Sequence, residues 1–186
     1  NKYHLSNDTR MKIEQIVELN EIIKLLNEFF NILDGHLVNM IPNQSIAELY
    51  LLGNARIMES DGIDVYKMYN YMEDVLSNAS DAKCVLPFYY ENFNERLNNL
   101  VESDKEVEVM IPDVLFDVFE ERSKIRNIST FDGECNFLLI VTDDTMILGL
   151  FKEDGYFDQN RLLTSKNEDS IKWANNLFEN FKNENK

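Results

Sequence analysis

Histidine is almost absent from this sequence: His4 and His36 are the only two. There is no Gly-x-Ser-x-Gly elbow either, so a hydrolase triad has little to build on. The six glycines, Gly35, Gly53, Gly62, Gly133, Gly149 and Gly155, stand singly. Phosphate-cradling and dinucleotide-binding glycine patterns are therefore missing, and no cofactor is expected. Cys84 and Cys135 lie in apolar runs with no CxxC spacing and no neighbouring histidine. They read as small core residues of a reducing compartment, with no metal site implied. No stretch reaches about 18 uninterrupted apolar residues, and no signal-peptide pattern opens the chain, so no membrane association is expected and the location is read as cytoplasmic. Basic residues are few, 18 against 34 acidic, for a formal charge of −16. No segment gathers Lys and Arg on one face, and such a surface repels a phosphate backbone. Direct DNA contact by these residues is unfavourable, and a solubility surface or adaptation to a salty cytoplasm is the plain account of the acidity.

Apolar residues make up 44% of the 186, enough for one substantial core with a helical extension. From Thr9 or Arg10 to about Leu33, Ile13, Ile16, Val17, Ile23, Leu26, Phe30 and Leu33 recur at helical spacing, with Asp8 or Thr9 as cap. Leu19, Ile22, Leu25 and Phe29 widen the apolar surface. A helix apolar on two sides needs two partners, the chain's own body and a second copy of itself, unless the whole surface packs within one monomer. Ile16, Leu19, Ile23, Leu26 and Phe30 are the expected dimerisation residues of a homodimer.

Asp34-Gly35 stops that helix, a short segment from His36 ends at Pro42, and one helix is expected over about Ser45 to Leu52, closed by Gly53. Beyond it the texture alternates. Arg56–Ser60 reads as a strand and Asp64–Ser77 as a helix with Val65, Met68, Tyr69, Met72, Val75 and Leu76 inward. Lys83–Pro87 is a short strand, Phe93–Glu102 a helix, Val107–Ile111 a strand, Val114–Ser123 a helix and Ile125–Phe131 a strand. Phe137–Thr142 and Met146–Phe151 form a hairpin through Asp143-Asp144-Thr145, a turn rather than a metal site. Arg161–Thr164 and a helix over Ser170–Phe181 complete the chain. The fold class is α/β, a mixed sheet flanked by helices and preceded by a long N-terminal linker or dimerisation helix.

The order of Cys84-Val85-Leu86-Pro87-Phe88-Tyr89, Val107-Glu108-Val109-Met110-Ile111, the hairpin with Gly149-Leu150-Phe151, Gly155-Tyr156-Phe157-Asp158 and Ala174-Asn175-Asn176-Leu177-Phe178 resembles the sensor domain of archaeal winged-helix transcriptional regulators of the methanogenesis-regulator family. The resemblance runs from about Ala55 to Phe181. It implies an N-terminal winged helix that reads DNA, a helical linker and an α/β sensor. Tyr3-His4-Leu5-Ser6 then looks like the end of the wing, and a start at Asn1 points to a chain trimmed at its N-terminus. The implied division is 1–8 for the end of the winged helix, 9–54 for the linker and dimerisation region, and 55–186 for the sensor. The sensor also looks similar to the phospholipase-D-like fold, whose chemistry needs a His-x-Lys pattern. Here His36 is followed by Leu37 and Val38, and His4 by Leu5 and Ser6. The fold would be kept without the catalysis.

Ligands of open α/β sheets sit at the carboxyl ends of the strands. Phe88, Tyr89 and Tyr90 follow one expected strand, Pro112 and Asp113 another, and Phe131 and Asp132 a third, with Tyr156 and Phe157 to close the side. Phe88, Tyr89, Tyr90, Asp113, Phe131, Asp132 and Tyr156 are thus the candidate ligand-binding residues for an unidentified small-molecule effector. An aromatic loop packed on its own domain is the plain alternative. His36 would join the rim, titrate as a sensor, or simply be hydrogen-bonded in place. The other reading of the chain is an interaction or dimerisation module without a ligand, whose DNA contact, like the first reading's, is made only by a domain absent from these residues.

Overall fold

The computed structural model describes residues 6–33 and 35–185; within the first helix, the side chains at 18, 21, 22, 25, 26 and 28–33 lie outside that description. The expected dimerisation residues Leu26 and Phe30 are among those side chains, and residues 1–5 of the expected wing remnant are outside as well.

Helix α1 runs Asn7–Leu33. Its cap is Ser6, not Asp8 or Thr9: the Ser6 Oγ accepts the Thr9 N–H at 3.2 Å. An oxygen three residues ahead meets an otherwise unpaired first-turn donor. The chain then forms β1 (His36–Leu37), α2 (Asn43–Ala47) and a 3-10 turn at Leu49–Leu52. The single helix expected over 45–52 is broken at Glu48. Its N–H bonds the Ser45 carbonyl at 3.3 Å and Leu51 N–H bonds the Glu48 carbonyl at 3.0 Å, three-residue steps that tighten the coil. Leu52 is buried beyond the break, and the Ser45 carbonyl accepts from Trp173 Nε1 at 2.8 Å as well as from Glu48.

The body follows as β2 (Arg56–Glu59), α3 (Lys67–Asn78), β3 (Asp81–Val85), α4 (Glu91–Glu102), β4 (Glu106–Pro112), a 3-10 turn, α5 (Phe116–Arg122), β5 (Asn127–Phe131), β6 (Phe137–Thr142), β7 (Met146–Lys152), β8 (Arg161–Ser165) and α6 (Glu168–Glu184). Helix α3 starts three residues later than the spacing predicts. The Asp61 carboxylate takes the N–H of Ile63 and Asp64, and Asp64 takes that of Tyr66, holding the preceding segment as a turn. Val65, expected inward, is consequently exposed, whereas Met68, Met72 and Leu76 are buried.

The sheet order is β2-β8-β7-β6-β3-β4-β5, with β1 added on β7. The chain β3-α4-β4-α5-β5 makes parallel pairs through crossover helices, and β6, β7, β8 and β2 are antiparallel. This is the mixed α/β sheet that the alternating sequence texture implies.

Side-chain alternation along the strands divides the core in two. Phe137, Leu139 and Val141 face Trp173, Ala174, Leu177, Phe178 and Phe181 of α6. Leu138 and Ile140 face Met72 and Leu76 of α3 and Phe93 and Leu97 of α4. The cysteines separate likewise, Cys135 in the first cluster and Cys84 in the second. Burial pushes both thiols up to about 12, which suits inert packing residues.

Gly149 of β7 lies beneath the Phe157 ring: a Cβ there would stand 2.7 Å from the ring edge. The ring has little room to yield, being packed edge-on against both Phe88 and Phe151. Gly149→Ala is expected to cost about 1–3 kcal/mol in urea unfolding, the usual penalty of overpacking. Phe157→Leu in the same chain should recover part of that loss by removing the clashing atoms.

Candidate functional site

Strand registers bring the ends of β3, β4, β5 and β2 to the same edge as the starts of β6 and β8 and the end of β7. The loops at this edge hold the candidate ligand-binding residues. Phe88 meets Phe157 edge-on at 5.1 Å. Tyr89 stands against Phe119 at 5.2 Å, donates its hydroxyl to Glu91 at 2.8 Å and accepts from Asn94 at 3.2 Å. Tyr90 stands against Phe93 at 4.7 Å and reaches the Glu73 carboxylate at 3.3 Å. Burial, followed by the adjacent Glu91 for Tyr89 and Glu73 for Tyr90, raises both phenols above their ordinary value, so they act as neutral donors.

The remaining candidates do not join this group. Phe131 is 2% exposed and packs edge-on against Phe181, on the α6 face of the sheet. Asp113 is exposed and accepts the Val114 N–H at 2.8 Å at the start of the 3-10 turn. Asp132 is exposed beside Gly133, and Tyr156 is 74% exposed. The structure thus brings together Phe88, Tyr89 and Tyr90 with Phe157 along the α3–α4 face, and distributes the others around the edge. Of the expected dimerisation residues with described side chains, Ile16, Leu19 and Ile23 are all exposed.

A polar cluster at the same edge pairs residues far apart in the chain. Asp158 is 1% exposed, and its Oδ2 accepts from His36 Nε2 at 2.9 Å. Lys152 and Arg161 approach the same carboxylate at 3.9 and 3.7 Å, and the Asn160 N–H bonds it at 2.9 Å. His36 Nδ1 is buried without a hydrogen-bond partner. Because β1 follows α1 directly, this pair ties the base of α1 to the loop between β7 and β8. A second tie runs beside it, from Glu153 N–H to the Gly35 carbonyl at 3.1 Å. His36 is therefore held by hydrogen bonding, one of the roles open to it from sequence. Its partner carried no local signal, standing 122 residues away. His36→Ala would leave the buried Asp158 carboxylate with the Asn160 N–H and the more distant Lys152 and Arg161, and its Oδ2 without the His36 hydrogen bond. A loss of about 1.5–3 kcal/mol in chemical denaturation is expected, the scale of a buried hydrogen bond to a charged group.

At the opposite edge, where β3 and β4 begin, lies an open groove of about 760 Å³. Asp81, Lys83, Lys105, Glu106, Arg126 and Asp143 line it over an apolar floor that includes Ala82 and Val107. It had no signal in the sequence, since its charges come from two strands and separate loops and each looks like an ordinary surface residue. Burial, reinforced by Asp143 and Glu106, raises the Asp81 carboxyl above its ordinary value. A raised folded-state value means that ionisation of Asp81 opposes folding once the pH exceeds the unfolded carboxyl range. Asp81→Asn is therefore expected to raise Tm by about 1–2 °C at neutral pH, the scale of a partly exposed charge. The gain should fade as the pH drops into the ordinary carboxylate range. Among the described residues, no group of His, Cys, Asp and Glu is placed to hold a metal ion.

No curated protein matches the sequence. Among solved structures, the fold is similar to that of TrmBL2, described as an archaeal chromatin protein showing a novel mode of DNA binding. The TM-score is 0.54 at 9% identity, over 94% of this chain and 64% of that one. At such identity the likeness is one of fold, and this chain spans under two thirds of the TrmBL2 chain. Residues 65–184 match the profile of the methanogenesis regulatory protein FilR1, middle domain, over more than half of the sequence; the chain belongs to that family of regulators.

Proposed function

We propose that the chain is the effector-sensing and dimerisation region of a DNA-binding transcriptional regulator, with DNA contacted by an N-terminal winged helix outside these residues. The family supports a regulatory role, and the fold likeness to a DNA-binding archaeal protein is in keeping with it. The observation that carries the sensing part is a continuous path of contacts. It leads from Phe88 to Phe157, one residue on to Asp158, and from Asp158 to His36 at the base of α1. A molecule that displaced Phe88 would act on the loop that fixes α1, and so bias the helix between positions.

A non-catalytic role accords with the same geometry. His36 is occupied by Asp158, and a His-x-Lys pattern is absent from the sequence, so a phospholipase-D-like ancestry would have left the fold without its nucleophile. One observation favours the second reading, a ligand-free interaction module: the rim rings already pack on one another and on Phe93 and Phe119.

A thermal-shift screen with archaeal metabolites, methanogenesis cofactors and acyl lactones separates the two. A ligand at about 100 times its Kd should raise Tm by roughly 5–10 °C in a protein of this size. The shift should persist in Arg126→Ala, at the opposite groove, and disappear in Tyr89→Ala. No shift with any compound would favour the ligand-free module.

A further inference from the structure

The groove of about 760 Å³ at the edge where β3 and β4 begin has an internal order that follows from strand pairing. The strands beneath it run β6, β3, β4, β5. Asp81 opens β3, Glu106 opens β4 and Arg126 immediately precedes β5. Asp81 and Glu106 are partners across the β3–β4 pair, and so are Ala82 and Val107 one residue further in. Arg126 comes one residue before Asn127, which pairs with Glu108 of β4. Neighbouring strands lie about 4.8 Å apart, so the backbones that carry Asp81 and Arg126 are two such steps, roughly 10 Å, from each other. Ala82 and Val107 supply the apolar floor of the same groove.

The charged groups of the groove divide by whether they already have partners. Lys83 is paired with Glu179 at 2.6 Å, Lys182 holds Glu108, and the Lys105 ammonium donates to the Ala79 carbonyl. Asp143 accepts the Ser80 N–H at 2.8 Å. Asp81, Glu106 and Arg126 make no hydrogen bond or ion pair among the described residues, although all three line the groove. Free carboxylates toward one end of a concave surface, a free guanidinium toward the other and apolar side chains in its floor are the elements of a site for a ligand that carries both signs of charge. The state of Asp81 agrees with this. Its carboxyl is raised by burial and by Asp143 and Glu106, with Lys83 alone to offset them, and an arriving ammonium would relieve that repulsion.

We propose that this groove binds a small zwitterion with a short aliphatic body, its ammonium held by Asp81 and Glu106, its carboxylate by Arg126 and its methylenes over Ala82 and Val107. An ammonium offers three donors, enough to serve both carboxylates at once. The guanidinium presents a planar fork that a carboxylate meets with two parallel N–H bonds. The methylenes contribute by leaving water against the apolar floor. The two-strand separation, shortened by the reach of the side chains, sets a ligand length nearer to ε-aminocaproate than to glycine. A simple amine leaves Arg126 unmet, and a simple acid leaves Asp81 and Glu106 unmet. The site lies at the edge opposite the aromatic rim, and its occupation does not depend on the effector role proposed for that rim.

The experiment is a calorimetric titration of the full chain with ε-aminocaproate, glycine, hexylamine and hexanoate at fixed ionic strength. ε-Aminocaproate should bind saturably, with one site per chain. Glycine, hexylamine and hexanoate should each bind at least about tenfold more weakly, the scale of one lost charge-assisted contact. Asp81→Asn, whose stability is not expected to fall, should weaken ε-aminocaproate about tenfold, and so should Arg126→Ala. Arg126→Ala should leave the weaker binding of hexylamine unchanged, because an amine does not use the guanidinium. Tyr89→Ala, at the other edge, should leave ε-aminocaproate unaffected. Absence of saturable binding by ε-aminocaproate overturns the proposal. So does equal affinity for hexylamine, which would reduce the site to acids attracting any cation. Binding that survives both Asp81→Asn and Arg126→Ala unchanged lies elsewhere on the chain and overturns it as well.

Discussion

The structure depends on one strand being buried on both sides. Every residue of β6 is buried, and alternation sends its side chains into two separate cores. Loss of apolar surface from water is the main favourable term in folding, and it scales with the area covered. A strand sealed by helices on both faces gains it twice. Helices α3 and α4 are held on one side and α6 on the other because β6, β3 and β7 offer them apolar surfaces. The same requirement sends the polar loops to the two edges of the sheet, where any site must form.

The two edges differ in kind. At one, the loops are bound to each other through rings and one buried carboxylate. Asp158 is surrounded by His36, Lys152, Arg161 and the Asn160 N–H, as a carboxylate removed from water requires. At the other, the groove remains open, with its acids close enough to raise Asp81. At the first edge the elements touch in sequence from the loop after β3 to the start of β1.

Much of the scaffold could be read from sequence because it obeys local periodicities. Continuous apolar runs identified β6 and β7 on either side of their turn at Asp143-Asp144-Thr145, and helical spacing identified α4 and α6, to within a few residues at their ends. The errors arose where polar side chains or carbonyls intervene. Asp61 and Asp64 delay α3, and the step at Glu48 divides what the spacing read as one helix. The candidate ligand residues lie around one edge of the sheet, yet Phe131 turns to the opposite face from Phe88, because a strand's last residue points to whichever side its register dictates.

Taken alone, the amino-acid order determined the α/β class, the acidic and histidine-poor composition, and the apolar stripe of α1. These follow from composition and from spacing within single elements. Only the tertiary structure decided that His36 meets Asp158, that Phe157 lies over Gly149 and against Phe88, and that Asp81, Glu106 and Asp143 share a groove. Those contacts join residues brought together by strand order and register. Strand order is set by how the whole apolar surface is best covered, which no short stretch of sequence encodes.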